Sequence, residues 1–228
     1  MKKLTIGNIV DFRTKSPVSQ ITLIKELNKP KEPKEESEGS GGHYWISSLS
    51  AIRNALKQDN KLPILEKTEQ LEEKLETESK GINKIRWQKN IDMLNRFENY
   101  DFSILQPKVP FEVLKGLDGK APLIIHGVPV TLIPDYIVAF EEKGVKKIGS
   151  AMFVGRTKQF QSPDLAIFND ALYRYVVTNV SSEYEVSKEL CQVVDVMDLS
   201  LVKYTDVESG KTPSHLDNTL IDIKKLIN

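Results

Sequence analysis

Cysteine is nearly absent from this chain: Cys191 is the only one in 228 residues. Without a partner it forms no internal disulfide, which fits a reducing compartment and predicts a cytoplasmic protein. Set between Leu190 and Gln192 at the start of an apolar strand, it reads as a small buried hydrophobe. No long apolar run follows Met1-Lys-Lys, so neither a signal peptide nor a membrane span is expected. A charge surplus is missing too, since 32 basic and 32 acidic residues give a net charge of +0. Proteins that grip phosphates usually carry a basic excess, so neutrality argues against stand-alone DNA binding while leaving room for a local basic patch. The three histidines, His43, His126 and His215, have no cysteine or histidine at ligand spacing, and no zinc motif can be read from them. Dinucleotide, Walker, nucleophile-elbow and His-Glu-x-x-His motifs are all lacking. Gly39-Ser-Gly-Gly42 has no strand ahead of it and no Lys-Ser/Thr behind it, so it makes no phosphate loop.

What is present is an ordinary globular composition, 39% hydrophobic and 28% charged, long enough to bury a core without staples. Residues 4–10 read as a short strand or a first helical turn, and Ser19 to Leu27 as a short helix. The polar, Pro- and Gly-rich stretch 30–42 cannot bury apolar surface and reads as a flexible loop. Three domain segments follow: 1–29, a strand and helix; 30–42, the loop; 43–228, an α/β domain with a helical layer at 43–99. Within that layer Trp45, Leu49, Ile52 and Leu56 fall at helical intervals. Tyr44 and Trp45 read either as core aromatics or as a stacking or docking site beside the loop. Ile64 to Thr77 is a highly charged helix, and Ile82 to Phe97 another, whose Lys84, Arg86, Lys89 and Arg96 are candidates for facing phosphate.

The densest information lies between Pro122 and Tyr175. Pro122 to Phe140 is a β-branched run interrupted by Gly127-Val-Pro129 and Pro134, bent or near an edge at those points because proline donates nothing to a ladder. It carries Asp135 within the predicted strand. Glu141-Glu-Lys-Gly144 reads as a turn, Val145 to Val154 as the returning strand, and Asp164 to Val177 as a helix with Leu165, Phe168, Leu172 and Tyr175 on one face. Leu190 to Val196 and Leu199 to Val207 read as two further strands, and Leu216 to Ile227 as a terminal helix.

Pro134-Asp135 on one strand of a hairpin, a helix behind it and a helical layer ahead resemble the core of the PD-(D/E)XK nuclease superfamily, with a RecB-like ending. The resemblance implies an α/β fold, a central mixed β-sheet flanked by helices, with a restriction-endonuclease-like core and an N-terminal helical layer. It also implies Asp135 as a metal ligand, with Glu-x-Lys on the second strand. Alternate strand residues share a face, so that Glu and Lys would flank a Mg²⁺ that activates water. On Lys147-Ile-Gly149-Ser-Ala151-Met-Phe-Val154, however, the corresponding positions are Gly149 and Ala151. The literal Glu141-Glu142-Lys143 lies in the turn. A displaced Lys158 would supply a cation and would still need Glu98, Glu112 or Asp164 as a second carboxylate.

The expectation is therefore a nuclease-like fold with an eroded metal site and no cofactor, serving as a non-catalytic binding or scaffolding subunit in a bacterial-type DNA-processing or phage-defence assembly. A protein partner is expected, nucleic acid through that partner or a basic patch, and no membrane. The alternatives are an active Mg²⁺-dependent nuclease using Asp135 and Lys158, and an unrelated α+β interaction module in which Asp135 is a turn residue.

Overall fold

A computed structural model describes residues 4–29, 45–78, 80–114, 122–156 and 159–227. The loop 30–42, with His43 and Tyr44, lies outside the described residues, as does Lys158. The chain is a mixed α/β protein. A strand β1 (Leu4–Thr5) leads into α1 (Ile6–Thr14) and α2 (Pro17–Asn28). Then come the helices α3 (Ile46–Gln58), α4 (Leu62–Thr77) and α5 (Gly81–Glu98). A 3-10 turn, Phe102–Leu105, precedes β2 (Phe111–Val113), β3 (Leu123–Ile125) and β4 (Val128–Thr131). The hairpin β5 (Tyr136–Glu142) and β6 (Val145–Val154) is followed by α6 (Ser162–Asn179) and β7 (Glu185–Asp195). Finally come β8 (Leu201–Lys203), α7 (Tyr204–Glu208) and α8 (Leu216–Ile227).

The central sheet has the order β2-β5-β6-β7-β8. Its first three strands are antiparallel neighbours, β7 runs parallel to β6 after the α6 crossover, and β8 is antiparallel to β7. Both faces are buried, so alternate residues feed two cores. Ile137, Ile148, Val154 and Val193 join α1, α6 and α8 on one side. Tyr136, Val138, Ala151, Phe153, Val194 and Val196 join α3, α4 and α5 on the other. Such two-sided burial is why these strands read as nearly continuous apolar runs.

The helical layer is fixed by more than apolar contact. Ser48 and Asn90, both buried, join α3 to α5 through a 2.7 Å hydrogen bond. Lys61 donates to the carbonyls of Phe97 (2.8 Å) and Tyr100, closing the end of α5, with its ammonium 4.0 Å from the Phe102 ring centre. The Phe97 carbonyl also accepts the Tyr100 N–H at 3.3 Å, so the ammonium adds a further donor at the end of the helix. Trp45 is buried in this layer, 8% exposed, which makes it a core aromatic.

Three sequence expectations change. The run 122–140 divides into three strands of two sheets: β3 and β4 form a hairpin whose sheet has the order β1-β4-β3, and only β5 enters the central sheet. The segment 1–29 thereby shares a core with the rest, since β1 pairs in parallel with β4. Asp135 stands just ahead of β5 rather than within it. The expected strand Leu199 to Val207 stops at Lys203 and turns into α7, where Tyr204 stacks on Tyr173 of α6 at 3.6 Å and 8°. Tyr204 and Val207 are three apart, so the same residues suit a helical turn, and packing on α6 decides.

The β5–β6 turn is the one the sequence indicates. Lys143 and Gly144 both have positive φ, 54° and 78°, as a two-residue turn matching strand twist requires. Farther along, β6 and β7 lose register: between the pairs Ile148–Val186 and Ser150–Cys191, one residue of β6 faces four of β7. That residue is Gly149, where a Cβ would meet the Cβ of Leu190 at 2.7 Å. Glycine is required there by close approach of the two strands.

Candidate functional site

Asp135 is held from two directions. Its backbone N–H donates to the Ala151 carbonyl at 3.1 Å, and its Oδ2 accepts the Phe153 N–H at 2.7 Å, so β6 pins both ends of the residue. Arg53 reaches across from α3 and places Nε 2.7 Å from Oδ1, an ion contact rather than a well-aligned hydrogen bond. The Asp135 side chain is 7% exposed. Burial raises its pKa to about 6, against the opposing pull of the Arg53 guanidinium, the Phe153 N–H and Lys57. Desolvation outweighs pairing here.

Of the positions expected to carry Glu-x-Lys, Gly149 lies opposite Val138 and Ala151 opposite Tyr136. The β6 residues that bond Asp135 through their backbone are Ala151 and Phe153. The conclusion from either pair is the same, because a methyl and a phenyl ring offer no oxygen to a hard cation. Both residues are buried, at 1% and 2%, among Phe97, Phe102 and the α5 face. The Phe97 and Phe153 rings meet edge to face at 5.8 Å.

The other candidates lie elsewhere. Glu141 and Glu142 close β5, and Lys143 is in the turn, so the literal Glu-x-Lys sits at the solvent-exposed tip; Glu142 pairs with Lys147 at 2.8 Å. Glu98 is the exposed last residue of α5. Glu112 is exposed on β2 opposite Ala139, four positions along the strand from Asp135 and thus roughly 13 Å away. Asp164 is buried at the start of α6. It accepts the Gln161 N–H at 3.2 Å and pairs with Arg13 (3.1 Å) and Arg156 (3.3 Å), an anion fixed at a helix N-terminus. Among the described residues no three His, Cys, Asp or Glu side chains converge as a metal cluster.

On α5, at 100° per residue, Arg86, Lys89 and Arg96 fall within a sector of about 80°, with Lys84 at least ~120° from them. Arg96 donates to the Met197 carbonyl at 2.7 Å, tying α5 to the β7–β8 connection, and Asn90 bonds the Arg86 carbonyl. Arg86 and Lys89 are half-buried, Lys84 and Arg96 exposed. The four cations thus do not form one stripe.

Arg53 is the participant that sequence reading misses. Its signal is slight: a cation four residues after Leu49 and three before Leu56, on the border of an otherwise apolar helix face. A separate cleft of about 540 Å³ opens over the β7 irregularity, lined by Phe140, Leu190 and the ion pairs Glu142–Lys147 and Glu189–Lys203. Buried Gln192 also lines it, its Nε2 donating to the Ile104 and Glu189 carbonyls. No helix among the described residues is long and apolar enough to cross a membrane. Comparison with protein-family models, with curated proteins and with solved structures yields no match.

Proposed function

We propose that this chain is a nuclease-like α/β protein whose metal site has eroded, acting as a non-catalytic binding or scaffolding subunit of a DNA-processing or phage-defence assembly. The observation that carries the reading is the use made of Asp135. One carboxylate oxygen faces Arg53 and the other accepts a backbone N–H, while the β6 positions at which the resemblance expects Glu-x-Lys are Gly149 and Ala151. A cation entering this place would have to displace a guanidinium and would find one carboxylate where a hard metal takes six or more oxygens, its waters included. The element order supports the resemblance: helical layer, hairpin, α6 behind it, then β7, β8 and a closing helix. The biological setting comes from the resemblance alone. Partner binding is the function left to a fold that keeps its core and loses its chemistry, with nucleic acid reached through that partner or through Arg86 and Lys89.

The test is cleavage of mixed single- and double-stranded DNA and RNA with Mg²⁺ or Mn²⁺, by the wild type beside Asp135→Ala. The proposal expects no cleavage by either. Metal-dependent cleavage that disappears in the variant establishes the alternative, an active nuclease with a migrated lysine.

A further inference from the structure

Strand β7 is an interior strand, with β6 and β8 on either side, yet its ladder to β6 is interrupted from Ser187 to Leu190. The interruption is held from within. The Leu190 N–H donates to Ser187 Oγ at 3.4 Å, and Gln192 Nε2 donates to the Glu189 carbonyl at 3.0 Å and the Ile104 carbonyl at 3.1 Å. Those two bonds use both amide hydrogens and fix which end of the Gln192 amide is the oxygen. Gln192 is 1% exposed, and its Oε1 accepts no hydrogen bond among the described residues. A buried amide oxygen without a donor is destabilising, and bulges in a ladder concentrate beside functional sites as well as at sheet edges. Two local faults therefore meet at one place in the central sheet, as they do where a fold gives up stability for a site.

That place is the cleft of about 540 Å³, a volume within the range of small-molecule sites. Tyr136, Val138 and Ala151 lie under the helical layer. Farther along the same face of the sheet, Phe140 and Lys147 stand opposite each other on β5 and β6 and line the cleft. Ile104, Pro107 and Val109, which follow α5, line it as well. Its charges are three lysines against two glutamates. Lys147 is matched by Glu142 and Lys203 by Glu189, whereas Lys108 is exposed and has no ion-pair partner among the described residues.

We propose that this cleft binds a small organic monocarboxylate, its carboxylate at Lys108, its apolar body against Phe140 and Leu190, and an N–H of its own at Gln192 Oε1. One unmatched lysine selects a single negative charge, because a polyanion would also meet Glu142 and Glu189. Phe140 is five positions along the chain from Asp135, roughly 17 Å in extended backbone, so the proposal rests on no part of the Asp135 reading.

Indole-3-acetate and hippurate each combine one carboxylate, one N–H and one aromatic ring, and serve as probes. Titrated into the isotope-labelled intact chain, each should shift the backbone amide signals of Ile104, Leu190 and Gln192 along one saturating curve, with a Kd of about 0.1–3 mM, ordinary for ligands of this size. N-methylindole-3-acetate, which lacks the donor, should bind about tenfold more weakly. Lys108→Ala should weaken indole-3-acetate about threefold or more and leave the uncharged indole-3-acetamide unchanged. Lys84→Ala, at an exposed position on α5, should alter neither. Amide signals unmoved by both probes at about 10 mM overturn the proposal. So does binding that neither N-methylation nor Lys108→Ala weakens.

Discussion

Replacing Asp135 by asparagine isolates the cost of its charge. In the folded chain burial raises the carboxyl from 3.8 to about 6. At 1.36 kcal/mol per pH unit, that difference corresponds to about 3 kcal/mol. Because the folded pKa lies above the unfolded one, the native state holds the proton more tightly than the unfolded chain does. The associated stability is fully present below about pH 4 and lost as pH rises through about 6. Asparagine cannot titrate. The unfolding free energy of Asp135→Asn minus that of the wild type should therefore grow by about 2.4 kcal/mol between pH 4 and pH 7, whatever constant offset the lost ion contact with Arg53 adds. Urea unfolding of both proteins across this range, with matching slopes, measures it. A flat difference refutes desolvation as the dominant influence. A difference of the opposite sign would mean that Arg53 outweighs burial and that Asp135 is an ordinary salt-bridged carboxylate. Arg53→Ala should move the window above pH 6 and deepen the loss at pH 7, since an unpaired buried charge costs about 3 kcal/mol or more.

Gly149→Ala should destabilise the protein by about 1–3 kcal/mol in denaturant unfolding, because the new methyl meets Leu190 Cβ at 2.7 Å. Adding Leu190→Ala should not restore stability, as the clashing atom remains; recovery would show that the strain lies elsewhere. Cys191 is fully buried and its thiol is pushed up to about 12 by burial, so a thiol reagent should label it only after denaturant is added. Rapid labelling of the native protein would contradict its place in the core.

The parts of this fold legible in the sequence are those whose signals are local. The β5–β6 hairpin follows from Lys143-Gly144 between two β-branched runs, and α4, α5, α6 and α8 from apolar residues at helical spacing. The division of residues 122–140 between two sheets was not legible. A run such as Leu-Ile-Ile-His-Gly-Val-Pro-Val shows that strands form, but nothing in it names β1, more than a hundred residues earlier, as the partner of β4. The link from Arg53 to Asp135 spans 82 positions and rests on one cation at the margin of an apolar stripe. α7 escaped because alternation and helical spacing coincide in Leu201 to Val207, and the Tyr173–Tyr204 stack that decides between them is tertiary. For the candidate site, the side chains of Gly149 and Ala151 on β6 were readable as unable to bind a metal, whereas the backbone bonds from Ala151 and Phe153 to Asp135 depended on the strand register.

The central claim is that the Asp135 carboxylate is occupied by the fold itself and not by a metal ion. Electron paramagnetic resonance of free Mn²⁺, titrated with the wild type and with Asp135→Asn, tests it most directly. The account predicts indistinguishable titrations, with any weak binding common to both. One equivalent of Mn²⁺ held by the wild type and released by the variant would contradict it.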